Sequence, residues 1–244
     1  GIPNCMTADG PAGLRIAPEC GVTTTAWPCA TLLAATWNPN VVYQVGAAGG
    51  KEVKENNIAA WLTPALNIHR SPLCGRNFEY YSEDPLLAGV LAGAMVKGIQ
   101  SQGVAATVKH FALNNKETDR KHSDSRVSER AAREIYLKAF EYVIKGAKPW
   151  AVMSSYNIIN GCYASENKEL LEDILRDEWG FDGMVTTDWW TLGEHYKEVK
   201  AGNDMKMACG DPKRLKEAMD QGLLTRQDLE HCAERVLNLI LKLD

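Results

Sequence analysis

No C-x-x-C pair occurs among the seven cysteines of this 244-residue sequence, and their number is odd. Cys5, Cys20, Cys29, Cys74, Cys162, Cys209 and Cys232 are scattered, which argues against a disulfide framework or a zinc site and for a reduced, cytoplasmic setting. Positive charge is not in excess. Against 31 Asp and Glu stand 27 Lys and Arg, a formal net charge of −4, so nucleic acid is not expected as a partner. No apolar run approaches the roughly 18 residues of a membrane-spanning helix, and no membrane partner is expected. A G-x-G-x-x-G turn is missing as well, which removes the phosphate-binding signature of a nucleotide-binding open sheet. The sequence opens Gly1-Ile2-Pro3 without an initiator Met or a leader, and reads as a piece of a processed or larger protein, compatible with a removed signal peptide.

What is present is the composition of a globular α/β domain: 45% hydrophobic and 24% charged residues, with length enough for a sizeable core. Extended segments read at 58–66, 104–110, 151–156, 184–188 and 204–207, with a candidate first strand near 2–8. Amphipathic helices read at 38–56, 84–102, 167–178 and 192–201. Behind a Ser128 cap, Ala132, Tyr136, Ala139, Phe140 and Val143 share one helical face. Leu229, Ala233, Val236, Leu237 and Ile240 are predicted to do the same in the last segment, opened by a Thr225/Asp228 capping box. The run Ala47-Ala48-Gly49-Gly50 lies inside a helical pattern, where small residues permit close packing.

Regular alternation of strand and helix predicts a mainly parallel sheet covered by helices. The strand spacing suits a single-domain (β/α)8 TIM-like barrel spanning 1–244, complete or else incomplete and collapsed at its N-terminal end. A doubly wound open sheet is the rival.

The segment Gly183-Met184-Val185-Thr186-Thr187-Asp188-Trp189-Trp190 is the most informative. A β-branched run ends on a carboxylate and two indoles follow. Barrels present catalytic groups at the C-terminal ends of their strands. A carboxylate beside a flat aromatic suits a sugar: the acid can attack the anomeric carbon while the indole stacks on the apolar C–H face. The competing reading makes Asp188 a helix cap and both Trp residues core. Lys109 and His110 end a second strand and Tyr156 a third, and the loop after Leu66 carries His69, Arg70, Arg76 and Glu79. A barrel would gather these at one mouth.

A carboxylate ringed by cations is expected to have a lowered pKa and so to stay ionised, as a nucleophile must. Asp9 would accept hydrogen bonds from sugar hydroxyls, and Lys109, Arg76 and His110 would donate. A two-His, one-carboxylate metal site from His69, His110 and Asp188 is the rival, opposed by the neighbouring Arg and Lys charges.

Five ordered motifs carry a resemblance. Thr7-Ala8-Asp9-Gly10-Pro11-Ala12-Gly13-Leu14-Arg15, Gly75-Arg76-Asn77-Phe78-Glu79-Tyr80-Tyr81-Ser82-Glu83-Asp84-Pro85, Val108-Lys109-His110-Phe111, Met153-Ser154-Ser155-Tyr156-Asn157 and Thr187-Asp188-Trp189 closely resemble glycoside hydrolase family 3. The opening motif is similar to the family's β-glucosidase branch. The resemblance implies a barrel domain of a larger enzyme, a retaining mechanism on terminal non-reducing β-D-glucosyl residues of a small-molecule or oligosaccharide glucoside, and no cofactor or metal. It implies Asp188 as nucleophile and Asp9, Arg15, Arg76, Lys109, His110, Arg120 and Tyr156 as the lining of the −1 subsite, which holds the glucosyl residue that Asp188 would attack. Trp189 would be the aromatic wall.

It also implies that the general acid/base is a Glu on an α/β sandwich domain absent from this chain. Glu79, Glu117 and Glu194 are the local alternatives. The stretch Met205-Lys206-Met207-Ala208-Cys209-Gly210 departs from the family pattern, and Lys206 is expected to alter the charge at the mouth. A non-catalytic sugar-binding barrel or inactive fragment, and a metal-dependent barrel lyase, are the alternative functions.

Overall fold

The computed structural model describes residues 1–243. Eight strands occur in it: β1 (Thr7–Ala8), β2 (Ala60–Trp61), β3 (Ala105–Phe111), β4 (Asp124–Ser125), β5 (Ala151–Ser154), β6 (Ile158–Ile159), β7 (Cys162–Tyr163) and β8 (Met184–Thr187). The α-helices are α1 (Ala30–Ala34), α2 (Pro39–Glu55), α3 (Pro85–Gln100), α4 (Glu129–Ala131), α5 (Lys138–Ala147), α6 (His195–Lys200), α7 (Pro212–Asp220) and α8 (Arg226–Leu243). Two π-helical stretches, Ala132–Tyr136 and Glu169–Glu178, complete the helical layer.

The main sheet is parallel throughout and ordered β1-β2-β3-β5-β8. Strand order therefore follows chain order, and every crossover winds the same way. A doubly wound sheet reverses at a switch point, so that rival is excluded. Winding in one direction curls the sheet into a half-barrel. Closure into eight strands is not among the described pairings, so the incomplete form of the expectation is the one observed. The strand predicted at 204–207 shrinks to a single parallel bridge from Met205 to Thr186. Its first residue is engaged differently: Asp204 Oδ2 accepts from Val185 N at 2.7 Å and from Arg176 at 2.8 Å, pinning the start of β8.

Caps place the helices as the sequence indicates. Asn38 accepts from the amides of Asn40 and Val41, Asp84 from those of Leu86 and Leu87, and Ser128 from that of Ala131. Thr225 and Asp228 bond reciprocally, at 2.8 Å and 3.2 Å, as a capping box requires. Helices α2 and α3 approach closely because small residues face each other; a Cβ on Gly46 would sit 2.7 Å from Met95 O.

The buried line of α8 is rotated from the predicted one. Cys232 and Leu239 are buried with Leu229, Val236 and Leu243 beside them, whereas Ala233 and Leu237 are exposed. Leu239 packs with Ala60, Ala105, Ala151 and Met184, the first residues of four strands. The last helix thus covers the N-terminal end of the sheet and leaves the opposite end open.

A small sheet ordered β4-β6-β7 flanks that open end and was not anticipated. Its hairpin turns on Asn160-Gly161, both at positive φ (49° and 92°), the residues such a two-residue turn favours. No helix among the described residues is long and apolar enough to cross a membrane.

Candidate active site

A cavity of about 710 Å³ opens at the C-terminal ends of the strands. Asp9, Arg15, Arg76, Lys109, His110, Arg120, Tyr156, Asp188 and Trp189 all line it. Alternation along a strand would send Lys109 and His110 to opposite faces. An irregularity in β3 prevents this. Val108 pairs with Val152 and Phe111 with Ser154, so one extra residue bulges between them and both side chains reach the cavity.

Asp188 directly follows β8. Trp189 N donates to its Oδ1 at 2.7 Å, whereas its buried Oδ2 has no hydrogen-bond partner and lies 3.9 Å from His110 Nε2. No helix begins there, since α6 starts at His195 behind Glu194, so the cap reading fails. Neither indole is core: Trp189 is half-buried on the cavity, and Trp190, at φ 51°, turns out to 63% exposure.

The direction expected for the Asp188 pKa is reversed. Burial raises its pKa above the ordinary carboxylate value, and the Trp189 N–H and the Lys109 and Arg76 charges only partly offset that. Desolvation outweighs the cations because the carboxylate is almost wholly removed from water. His110 is held well below its usual pKa by burial, then by Arg76, Lys109 and Arg120, and is a neutral imidazole at neutral pH. It meets Asp188 as a dipole and not as an ion. Asn67 braces it, accepting from His110 N at 2.8 Å and donating to His110 O at 2.9 Å.

Asp9 is paired with Lys109 Nζ at 2.6 Å and with Arg15 at 3.3 Å. Burial pushes its pKa up, but Lys109 and the Gly10 amide carry it to a net lowering, so Asp9 is an anion. Arg76 is ion-paired with the buried Glu79. Arg120 is held by Glu117 at 2.9 Å, and its guanidinium stacks 4.5 Å from the centre of the Tyr156 ring. Burial, then the charge of Asp188, raises the pKa of the Tyr156 phenol, which stays protonated.

Other side chains fall elsewhere. Glu194 is exposed and Glu117 part-buried, and neither lines the cavity. Lys206 does not charge the mouth: it bonds Glu198, Thr191 and the Gly193 carbonyl, and Glu198 also accepts from Ser165 and Thr191. His69 Nε2 lies 2.9 Å and 3.0 Å from the carbonyls of Asn77 and Tyr80 and does not line the cavity, so the proposed metal triad is not assembled. No cluster of three His, Cys, Asp or Glu able to hold a metal occurs among the described residues. The sequence reading did not single out the irregular segment Thr24-Thr25-Ala26, Leu62, Phe78 or Met153, all of which line the cavity. An aromatic within the polar stretch 75–85 was the legible signal for Phe78; segment 24–26 has none.

A family profile described as the glycosyl hydrolase family 3 N terminal domain matches residues 1–239. The chain belongs to glycosyl hydrolase family 3. It is 66% identical over 230 residues to beta-glucosidase A of Butyrivibrio fibrisolvens, covering 94% of this chain and 28% of that protein. It is 44% identical to the exo-alpha-(1->6)-L-arabinopyranosidase of Bifidobacterium longum, covering 99% of this chain and 33% of the other. Beta-glucosidase 3B from Thermotoga neapolitana, solved with glucose, superposes with a TM-score of 0.93 at 47% identity, over 98% of this chain and 36% of that one. This family 3 chain thus spans about a third of the length of the relatives it matches.

Proposed function

We propose that the cavity is the nucleophile-bearing part of a retaining β-glucosidase site, accepting a terminal non-reducing β-D-glucosyl residue of a small-molecule or oligosaccharide glucoside. The observation that carries this is the Asp188 carboxylate, with one oxygen fixed by the Trp189 amide and the other unpaired beside the cavity. A fixed acid with a free oxygen loses little freedom on reaching a bound carbon. The names of family 3 relatives, and the glucose in the Thermotoga neapolitana structure, support the same substrate class.

In this reading Asp188 attacks the anomeric carbon, the bond from that carbon to the aglycone oxygen breaks, and the aglycone leaves with a proton from an acid. Water then attacks the same carbon, giving up a proton to the conjugate base, and the ester to Asp188 breaks. Asp9 and neutral His110 would hold hydroxyls, Lys109, Arg15, Arg76 and Arg120 would donate to them, and Trp189 would face the ring. The low-dielectric setting that raises the Asp188 pKa also strengthens its interaction with the cationic carbon of the transition state.

The acid itself we assign to residues beyond these. Besides Asp188, the carboxylates on the cavity are Asp9 and Glu79, and both are spent in ion pairs with Lys109, Arg15 and Arg76. The greater length of the relatives supports a further domain as its source, an α/β sandwich by family resemblance. Incubation with a 2-deoxy-2-fluoro glucoside bearing a good leaving group, followed by peptide mass spectrometry, tests the reading. The label is expected on Asp188, and a label on another carboxylate would overturn it.

A further inference from the structure

We infer that Glu52, on α2 and outside the cavity lining, is a positioning residue that holds the sugar-recognition loop of Asp9 and Arg15. This rests on the glucosidase reading of the cavity.

Asp9 and Arg15 stand on an irregular loop between β1 and residue 18. The loop closes on itself through Arg15 N to Asp9 O at 2.9 Å and Gly13 N to Gly10 O at 3.0 Å. It is stitched to a second irregular segment, 24–27. Thr24 Oγ1 donates to Leu14 O at 2.7 Å, and Trp27 N to Ala12 O at 2.9 Å. Gly13 lies so close to the Thr25 carbonyl that a side chain there has no room. These contacts tie one loop to another.

Glu52 ties the pair to a helix. Its Oε1 accepts from Thr25 N at 2.8 Å and from Thr25 Oγ1 at 3.1 Å. One turn earlier Gly49 makes room for the neighbouring indoles: a Cβ there would sit 2.6 Å from the Trp61 ring and 3.5 Å from Trp27 Nε1. Glu52 also keeps its second oxygen buried and unpaired. Such an oxygen costs free energy that the two bonds to Thr25 must offset, so what the acid does at this position is hold Thr25 and, through it, the loop of Asp9. Misplacing a recognition group weakens binding of substrate and transition state alike, which raises KM more than it lowers kcat.

The test compares Glu52→Ala with Glu52→Gln in the full-length enzyme, the Gln retaining an Oε1 acceptor for Thr25. Glu52→Ala is expected to raise KM for an aryl β-glucoside about tenfold with kcat nearly unchanged. Glu52→Gln should restore the wild-type KM, and the effect of Glu52→Ala on kcat/KM should shrink in an Asp9→Ala background, as coupling through one loop requires. Amide exchange at Gly13, Arg15 and Trp27 should quicken in Glu52→Ala and return to the wild-type rate in Glu52→Gln. Unchanged exchange in the Ala variant, or an equal fall of kcat and kcat/KM in both backgrounds, would overturn the role. If the wild-type enzyme itself turns over no glucoside, the glucosidase reading falls, and the exchange rates still decide whether Glu52 holds the loop.

Discussion

Lys109 Nζ lies 2.6 Å from Asp9 Oδ1, joining two residues 100 positions apart across the mouth of the sheet. The Lys109 side chain is only 3% exposed, so its ammonium depends on this partner. Asp9 is therefore both a candidate hydroxyl acceptor and the counter-ion of a buried charge. Asp9→Ala is expected to weaken glucoside hydrolysis, leaving a residual rate, and also to destabilise the fold by about 2–3 kcal/mol, less than for a wholly buried pair because Asp9 is partly wet.

The pH dependence of that loss has a defined sign. The folded pKa of Asp9 is depressed, so its contribution is present above the unfolded value, about 3.9, and disappears as pH falls through the folded value. The difference in Tm between wild type and Asp9→Asn should be constant from neutral pH down to about 5 and shrink below about 4. A difference that grows on acidification would contradict the pairing.

Asp188 should behave in the opposite sense. Its folded pKa is raised, so ionisation opposes folding above the unfolded pKa and has no effect well below it. Asp188→Asn is expected to raise Tm at pH 7, with the gain fading as pH falls below about 4. Glucosidase activity of the full-length enzyme should drop at least roughly a thousandfold, about 4 kcal/mol of barrier. Thermal unfolding at the two pH values, with initial rates on the same preparation, checks both.

Lys206 offers a control away from the cavity. The Glu198 side chain is 1% exposed, and Lys206→Met would leave it with hydroxyl donors alone. Loss of one partner of a buried pair costs about 3–5 kcal/mol, or roughly 10 °C in Tm for a chain of this size. The KM of the folded fraction should stay at the wild-type value. A large change in KM without a change in Tm would place Lys206 at the mouth after all.

The assignment of the acid can be read from leaving groups. The chain alone is expected to hydrolyse alkyl glucosides negligibly and dinitrophenyl glucoside slowly, because a good leaving group departs with little protonation. Similar rates on both would locate a working acid within these residues.

Much of this was legible in one dimension. A strand that ends on Asp188, the caps Asn38, Asp84 and Ser128, and the Thr225/Asp228 box are short-range features, written in neighbouring residues. The nine candidate residues sit at strand ends or in adjoining loops, and a parallel sheet places such ends on one side. The small sheet escaped because two-residue strands have no periodicity, although its Asn160-Gly161 turn was in plain view. The face of α8 was misread because it has apolar residues on more than one side, and only the partners it packs against choose between them.

By itself the sequence determined which residues are chemically able to act and that a parallel sheet would bring them to one end. Tertiary structure alone decided their charge states and pairings: that Asp188 is raised by burial where its cations suggested lowering, that Lys109 belongs to Asp9, and that Lys206 belongs to Glu198. The reason is physical. Strand ends and caps depend on contacts a few residues long, whereas the energy of a charge depends on how much water it has lost and on which distant group replaces that water.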